Sequence, residues 1–364
     1  MVDFELSEEQ AALREFSRDL LASDCPPQTR RAVAAAGLDL DEKLWSRGAQ
    51  MGWTGLAAPL EHGGAGQGIV ELCLVAEELG RAAAPGPVIE TALAARAAAG
   101  CAGTAEQAAA LAEGQLRAGF VHHGAVTARR DGDGVGVVLS GRATAVHAAG
   151  SADWLLVATS GDEPCLALVP ASDVETHRRT TLDQTRTWYD VVFPGVRVPS
   201  ARVCAATRDE VDFWVHAMAV LTAADALGVA EALLEMTVAH VTVREQFGRP
   251  LGSFQAVKHK TADMRATLTG MRAATYYAAM ALSDGTGDAA AASAVAKAFA
   301  SEGAPGIAGE ALQLHGGIGF TWEHDLHLYL RRARVDALLF GDAAHHHERV
   351  LAALETSSRT ATTT

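Results

Sequence analysis

Two short segments carry side chains whose types and spacing could do chemistry. Arg244-Glu245-Gln246-Phe247-Gly248-Arg249-Pro250-Leu251, continued by Gly252-Ser253-Phe254-Gln255-Ala256, sets a guanidinium at the end of a helical run, just before a Gly/Pro turn. From there it can reach outward and grip a phosphate by two parallel hydrogen bonds. A solvated helix end would explain the segment equally well, since short motifs match often by chance. Gln313-Leu314-His315-Gly316-Gly317-Ile318-Gly319-Phe320 is the second segment. Its glycines strip side chains from a loop, so that another backbone or a flat ligand can approach, and Gln313 offers both a donor and an acceptor. A structural turn accounts for one glycine more easily than for three. No strand precedes the loop and its spacing differs from the dinucleotide-binding fingerprint.

Other suggestive stretches have plainer readings. His345-His346-His347 invites zinc, but consecutive helical residues point about 100° apart and cannot meet one ion, so a solvated helix face is expected and no metal. Gly132-Asp133-Gly134 beside a strand reads as a hairpin connection, not a phosphate loop. Cys25, Cys73, Cys101, Cys165 and Cys204 form no close pair and no ligand spacing, and read as reduced residues.

The elements that must position the two motifs can be traced along the chain. Ser7 and Gln10 form a capping box ahead of Leu13, Phe16 and Leu20 at helical spacing. A second helix spans Trp45 to Gly52, and Gly63 to Gly68 makes a flexible connection before an apolar run to Leu79. Residues 1–116 therefore read as a helical domain. Short β-rich runs follow at Val135 to Leu139, Trp154 to Ala158 and Leu166 to Val169, then Val191 to Pro199 with an interruption at Pro194, giving a β domain over 117–206. Helical periodicity returns over 207–356, with Leu227, Leu234, Val238 and Val241 on one face and breaks expected at Gly285 to Gly287 and Gly303 to Gly306. Residues 357–364 read as a frayed tail.

The 364 residues suit two or three domains, and the formal net charge of −14 comes without a basic stripe, which argues against nucleic acid. An anionic coenzyme could still be held by a few local arginines and backbone donors. No basic leader precedes Asp3-Phe4-Glu5 and no apolar stretch reads as an unbroken membrane span, so the cytoplasm is the default compartment, with no membrane partner.

Taken together and in this order, the two motifs resemble the acyl-CoA dehydrogenase family. Supporting matches are the helix opening, Ala57-Ala58-Pro59 to Gly68, the Phe193 to Pro199 strand and Arg331-Arg332-Ala333. The Thr321 to Leu330 phrase further resembles actinobacterial, steroid-degrading branches. The resemblance implies a mainly α fold with a central β domain: an N-terminal helical domain, a β barrel or sandwich, and a C-terminal four-helix bundle. It also implies noncovalent FAD, with the pyrophosphate on Arg244, Gln246 and Phe247, the adenine end on Gln313, Gly316 and Gly317, and Phe254 and Gln255 lining the same site. The implied reaction is α,β-dehydrogenation of an acyl-CoA, with a carboxylate removing the α proton and the β hydrogen leaving as hydride.

Against that pattern the bases are missing. The usual base glutamate aligns with Phe340, the alternative position on the long helix with Met218, and a substrate-anchoring arginine with Ala219. Asp342 is a candidate displaced base, but a helix N-cap for 343–351 is the favoured reading; His216 and His315 read as packed histidines. Val126 to Arg130 and Ala143 to His147 replace the stretches that usually hold the flavin ring. Three functions follow from the resemblance: an acyl-CoA dehydrogenase subunit, self-assembled or paired with a homologous chain in an α2β2 heteromer; a noncatalytic partner completing a homologue's flavin site; or a flavin oxidase or monooxygenase. The implied partners are an acyl-CoA substrate, a homologous or identical subunit, and an electron acceptor such as an electron-transfer flavoprotein.

Overall fold

The computed structural model describes residues 5–122, 124–131, 136–159 and 163–362, so the expected hairpin at Gly132-Asp133-Gly134 lies outside the described residues. Six helices come first: α1 (Glu8–Asp24), α2 (Pro27–Ala36), α3 (Glu42–Gln50), α4 (Ile69–Arg81), α5 (Val88–Ala99) and α6 (Ala105–Ala112). Strands follow: β1 (Ala118–Val121), β2 (Gly124–Arg130), β3 (Gly136–His147), β4 (Trp154–Ala158), β5 (Leu166–Pro170), β6 (Glu175–Arg179), β7 (Trp188–Pro199) and β8 (Val203–Ala205). The chain then becomes helical again with α7 (Arg208–Val243), the ribbon β9 (Glu245–Gln246) and β10 (Arg249–Pro250), α8 (Gln255–Asp284), α9 (Ala289–His315), α10 (Leu326–Asp336) and α11 (Ala343–Thr362). Backbone from Ser357 to Thr362, expected as a frayed tail, continues α11.

The chain forms two compact units that do not follow its linear order. One comprises 16–75 and 85–215, the other 1–15, 76–84 and 216–364. In the first unit, β1-β4-β5-β8 and β2-β3-β7-β6 form two four-stranded sheets. The inward side chains of both, among them Val121, Leu155 and Val169 with Leu139, Val191 and Phe193, share one core. Pro194, expected to interrupt the strand, stays inside β7 because a register shift after Leu139 absorbs it. α1 opens as read: Ser7 N–H donates to Gln10 Oε1 at 3.1 Å and Gln10 N–H to Ser7 Oγ at 3.2 Å.

Cys101 and Cys204, expected as separate thiols, are joined in a disulfide with their Cα atoms 4.9 Å apart. The return of β8 beside the segment after α5 brings them together, with Gly103 N–H donating to Ala201 O at 3.1 Å. Cys25, Cys73 and Cys165 are buried and outside any disulfide.

The second unit is helical, with α9 packed by α8, α10 and α11. Its tightest crossing joins α4 to α7: a Cβ on Gly228 would stand 1.8 Å from Glu77 O, and one on Gly80 would stand 2.0 Å from Asp225 O. Only glycine at both places lets these backbones touch. Arg332 locks the crossing by donating to Asp225 Oδ2 and to Ala84 O, each at 2.8 Å. Glu77 is buried and accepts from Arg272 and from Tyr276 Oη, both at 2.6 Å.

Three details depart from expectation. Gly303 to Gly306 is not a break: α9 runs through it and through Pro305, because Gly303 sits against Met271, whose sulfur would be 2.6 Å from an added Cβ. Leu227, Leu234 and Val241 are buried, but Val238 is 44% exposed and lies off the packed face. Finally, α7 is long and apolar enough to cross a membrane by length and composition, yet 94% of its most apolar stretch is buried, as in the core helix of a globular protein.

Candidate active site

α7 ends where the first motif begins. Arg244 N–H closes the last turn on His240 O at 2.9 Å, and Leu251 N–H returns to Arg244 O at 2.8 Å. Between them β9 and β10 form a ribbon whose two-residue turn, Phe247 and Gly248, has φ of +54° and +75°. Positive φ at both places is the geometry of a tight primed hairpin turn, here with an unusual phenylalanine. The backbone of Arg244 is therefore fixed while its side chain is exposed and has no partner among the described residues. Gln246 is exposed on β9, and Phe247 is 90% exposed. Phe254 caps the start of α8, with Phe247 edge-on at 6.1 Å between centroids and the Arg249 guanidinium 4.0 Å above its ring. Gln255 is exposed as the first residue of α8.

The second motif closes α9 and turns into a short 3-10 segment, Gly316–Phe320. Gly316 has φ +61° and ψ −141°, a conformation open in practice to glycine alone. A Cβ at Gly316 or Gly317 would meet nothing within 4 Å, so these glycines clear space outside the chain rather than relieve a clash within it. Gln313 is exposed and unpartnered among the described residues, whereas Gly319 is buried against Leu312 and His315.

A feature that sequence reading missed ties the two motifs together. His240, one turn before Arg244, stacks on His315 at 4.5 Å, and His315 lies 4.9 Å from His324. Burial, then His324 and Arg244, hold the His240 imidazole below its usual range. His315 is buried, its Nδ1–H donates to Ala311 O at 2.8 Å, and burial again dominates in lowering its pKa. Both rings are favoured in the neutral form, so the stack brings the ends of α7 and α9 into register without crowding positive charge there. The sequence signals are His315 inside the glycine motif and His324 inside the Thr321 to Leu330 phrase; nothing local marks His240.

The positions where the resemblance sets the base hold no proton acceptor. Met218 and Ala219 are buried on α7, 4% and 2% exposed. Phe340 has φ +56° and precedes Gly341 at φ +100°, so the chain makes a left-handed turn into α11. Asp342 Oδ1 accepts from His345 N–H at 2.9 Å, the geometry of an N-cap. The turn is pinned from beneath: Lys297 Nζ donates to Gly341 O at 2.9 Å and to Ser301 Oγ at 2.7 Å, and His346 Nε2–H donates to Phe340 O at 2.9 Å. Burial pushes His346 down to about 4. The histidine run is thus not a uniformly solvated face, because this hydrogen bond to the turn draws His346 inside, 2% exposed. His216 is buried and its Nε2 accepts from Arg349.

In the β sandwich, Val126 faces the core while Thr127, Arg129 and Arg130 lie outward or half outward. Ala145 has φ +54° at a bulge between Ala143 and Val146, and His147 is buried. His147 Nδ1 pairs with Glu90 at 2.8 Å. Burial alone would raise the Glu90 carboxyl, but His147 holds it below the usual range. The pair leaves His147 Nε2 buried with no hydrogen-bond partner among the described residues.

The C-terminal-domain pattern described as acyl-CoA dehydrogenase matches residues 215–355, and the N-terminal-domain pattern of the same name matches residues 7–116. The acyl-CoA dehydrogenase IpdE2 of Mycobacterium tuberculosis is 34% identical over 91% of this chain and 93% of its own. The chain belongs to the acyl-CoA dehydrogenase family. Another acyl-CoA dehydrogenase of M. tuberculosis, FadE34, is 37% identical over 85% of this chain, which spans 42% of that longer protein. Among solved structures, the Tcur3481-Tcur3483 steroid acyl-CoA dehydrogenase variant superposes with a TM-score of 0.89 at 31% identity, over 97% of this chain and 99% of that one. The ChsE4-ChsE5 complex from M. tuberculosis gives 0.90 at 28% identity with the same coverage. The acyl-CoA dehydrogenase fold, helices flanking a β sandwich, is the one implied by the two motifs.

Proposed function

We propose that this acyl-CoA dehydrogenase works as one subunit of a hetero-oligomer with a homologous chain, that the assembly dehydrogenates a bulky acyl-CoA of steroid-derived type, and that the partner supplies the catalytic carboxylate. One observation carries the reading. The two motifs assigned to FAD by resemblance present Arg244 and Gln313 outward, without partners among the described residues, beside a cleared glycine loop, while the two positions expected for the base hold side chains that cannot take a proton. That combination suits a chain that contributes half of a shared site. The mycobacterial and Tcur relatives, two of them solved as paired chains, agree with it.

Arg244 would hold the FAD pyrophosphate by charge-assisted hydrogen bonds, with Gln246, Phe247, Phe254 and Gln255 on the same side, and Gln313 would meet the adenine end where Gly316 and Gly317 let it approach. FAD, when bound, would supply the acceptor for the β hydride and would pass the electrons to a carrier such as an electron-transfer flavoprotein. Phe340 and Met218 contribute packing and exclude water rather than move a proton.

The test is coexpression. This chain alone should give little acyl-CoA dehydrogenation, and addition of a homologue bearing the base glutamate should restore it. Arg244→Ala in the restored assembly should weaken FAD retention by about 1.5 to 3 kcal/mol, a roughly ten- to hundredfold loss. Robust turnover by this chain as a homo-oligomer would defeat the partnership, and a native assembly that takes up no flavin would defeat the cofactor reading.

A further inference from the structure

The two sulfurs of the Cys101–Cys204 pair sit in unlike surroundings within one compact unit. Cys101 follows α5 and is 7% exposed. Its segment is pinned by the buried Thr104, whose Oγ1 donates to Ala98 O at 2.6 Å and to Cys101 O at 3.3 Å. Cys204 is half-buried on β8, the edge strand of its sheet, which β5 holds through the Leu166–Ala205 and Ala167–Val203 pairs. The start of α7 is secured separately, because Glu210 Oε2 accepts from Thr207 N–H at 3.1 Å and from Thr207 Oγ1 at 2.7 Å. Opening the disulfide therefore loosens β8, while the Cys101 segment and the first turn of α7 stay in place.

The fold also provides for the reduced pair. Ala97 O lies 3.3 Å from Cys101 Sγ and Arg202 O lies 3.7 Å from Cys204 Sγ, so each thiol would find a carbonyl to accept from it. The other three cysteines are buried, and burial pushes the Cys165 thiol up to about 11, which keeps its reactive thiolate scarce.

We propose that Cys101 and Cys204 form a reversible thiol-disulfide site that exchanges with small-molecule thiols such as glutathione, with Cys204 as the entry sulfur and Cys101 as the resolving one. In the reducing direction a small thiolate attacks the accessible Cys204 Sγ, the bond to Cys101 breaks, and Cys101 leaves as a thiolate that takes up a proton. A second small thiolate attacks the small-molecule sulfur of the mixed disulfide and releases Cys204. One protein disulfide and two small thiols thus become two protein thiols and one small disulfide, and oxidation runs the same steps backwards. Bonded, the pair fixes β8 to the end of α5; reduced, it frees the strand. The inference is independent of the flavin and acyl-CoA readings.

The experiment equilibrates the full chain in glutathione buffers running from reducing to oxidising and reads each cysteine by differential alkylation and mass spectrometry. Cys101 and Cys204 should convert together and reversibly under native conditions, while Cys25, Cys73 and Cys165 stay thiols throughout. The oxidised form should melt roughly 5 to 15 °C above the reduced form, because the bond closes a long span of chain. Tryptic cleavage after Arg202, which precedes β8 and stacks 5.2 Å from the Trp154 ring, should be several times faster in the reduced form. With glutathione disulfide, C101S should become glutathionylated at Cys204, whereas C204S should stay unmodified at Cys101. A pair that never forms, one that resists excess glutathione, or a mixed disulfide on Cys101 as readily as on Cys204 would overturn the proposal. Equal melting and equal cleavage of the two forms would overturn it as well, since the bond would then hold nothing.

Discussion

Replacing Lys297 with methionine tests the turn that carries Phe340 and Gly341. Lys297 is 1% exposed, and burial pushes its ammonium down to about 8 against the pull of Asp336 and Asp342. An unfolded chain keeps that proton up to the ordinary value of 10.5. Between those two values the unfolded state binds more protons than the native one, so the parent gains stability as pH rises through that window. At about 1.4 kcal/mol per unit, the gain totals roughly 3 kcal/mol. A methionine at 297 has no proton to lose. Near pH 7.5 two effects oppose each other: losing the hydrogen bonds to Gly341 O and Ser301 Oγ costs about 1.5 to 3 kcal/mol each, and removing the buried charge returns about 3 kcal/mol. Urea unfolding of parent and Lys297→Met assemblies at fixed protein concentration, at pH 7.5, 9 and 10.5, should show the gap between them widening by about 3 kcal/mol in the parent's favour. A gap that stays constant, or closes as pH rises, would refute the assignment of a depressed, buried ammonium beneath Gly341.

Arg332→Met should destabilise by about 3 to 5 kcal/mol, read as a fall in melting temperature, because it strands the Asp225 carboxylate and leaves Ala84 O without its donor. Asp342→Asn keeps an oxygen for His345 N–H and should change stability little, while Asp342→Ala should cost about 1 kcal/mol. Stopped-flow bleaching of the flavin by acyl-CoA in the restored heteromer should stay near normal for Asp342→Asn; complete loss with intact FAD content would make Asp342 the base.

Legibility in the sequence followed the range of the interactions. The Ser7 and Gln10 capping box reads directly because both partners lie within one turn, and β4 and β5 were bracketed by their own composition. The two motifs were visible because glycine and arginine at fixed spacing carry information without their surroundings. What stayed hidden depends on pairs far apart in the chain. Cys101 and Cys204 are 103 residues apart, and nothing near either announced the other. Gly80 and Gly228 look like ordinary helix glycines until α4 and α7 are crossed. Lys297 and Arg96 sit in alanine-rich helices where a lone cation suggests a solvent-facing position, and the fold buries one and half-buries the other. Gly303 and Pro305 read as breakers because local propensity favours a break, but packing against Met271 overrides it.

The turn at 340 is built on its backbone rather than on its side chain. Holding phenylalanine at φ +56° costs about 1 to 2 kcal/mol, which the surrounding structure must offset. It does so with groups that bind backbone, not side chain: His346 takes the Phe340 carbonyl, Lys297 takes the Gly341 carbonyl, and Asp342 caps the helix that follows. None of these contacts depends on which side chain stands at 340, so a carboxylate there would ride on the same turn. A buried lysine, a buried histidine and a left-handed residue are all committed to the backbone of a turn whose position 340 holds no proton acceptor. That arrangement is the one expected if, as proposed, the proton is taken by another chain of the assembly.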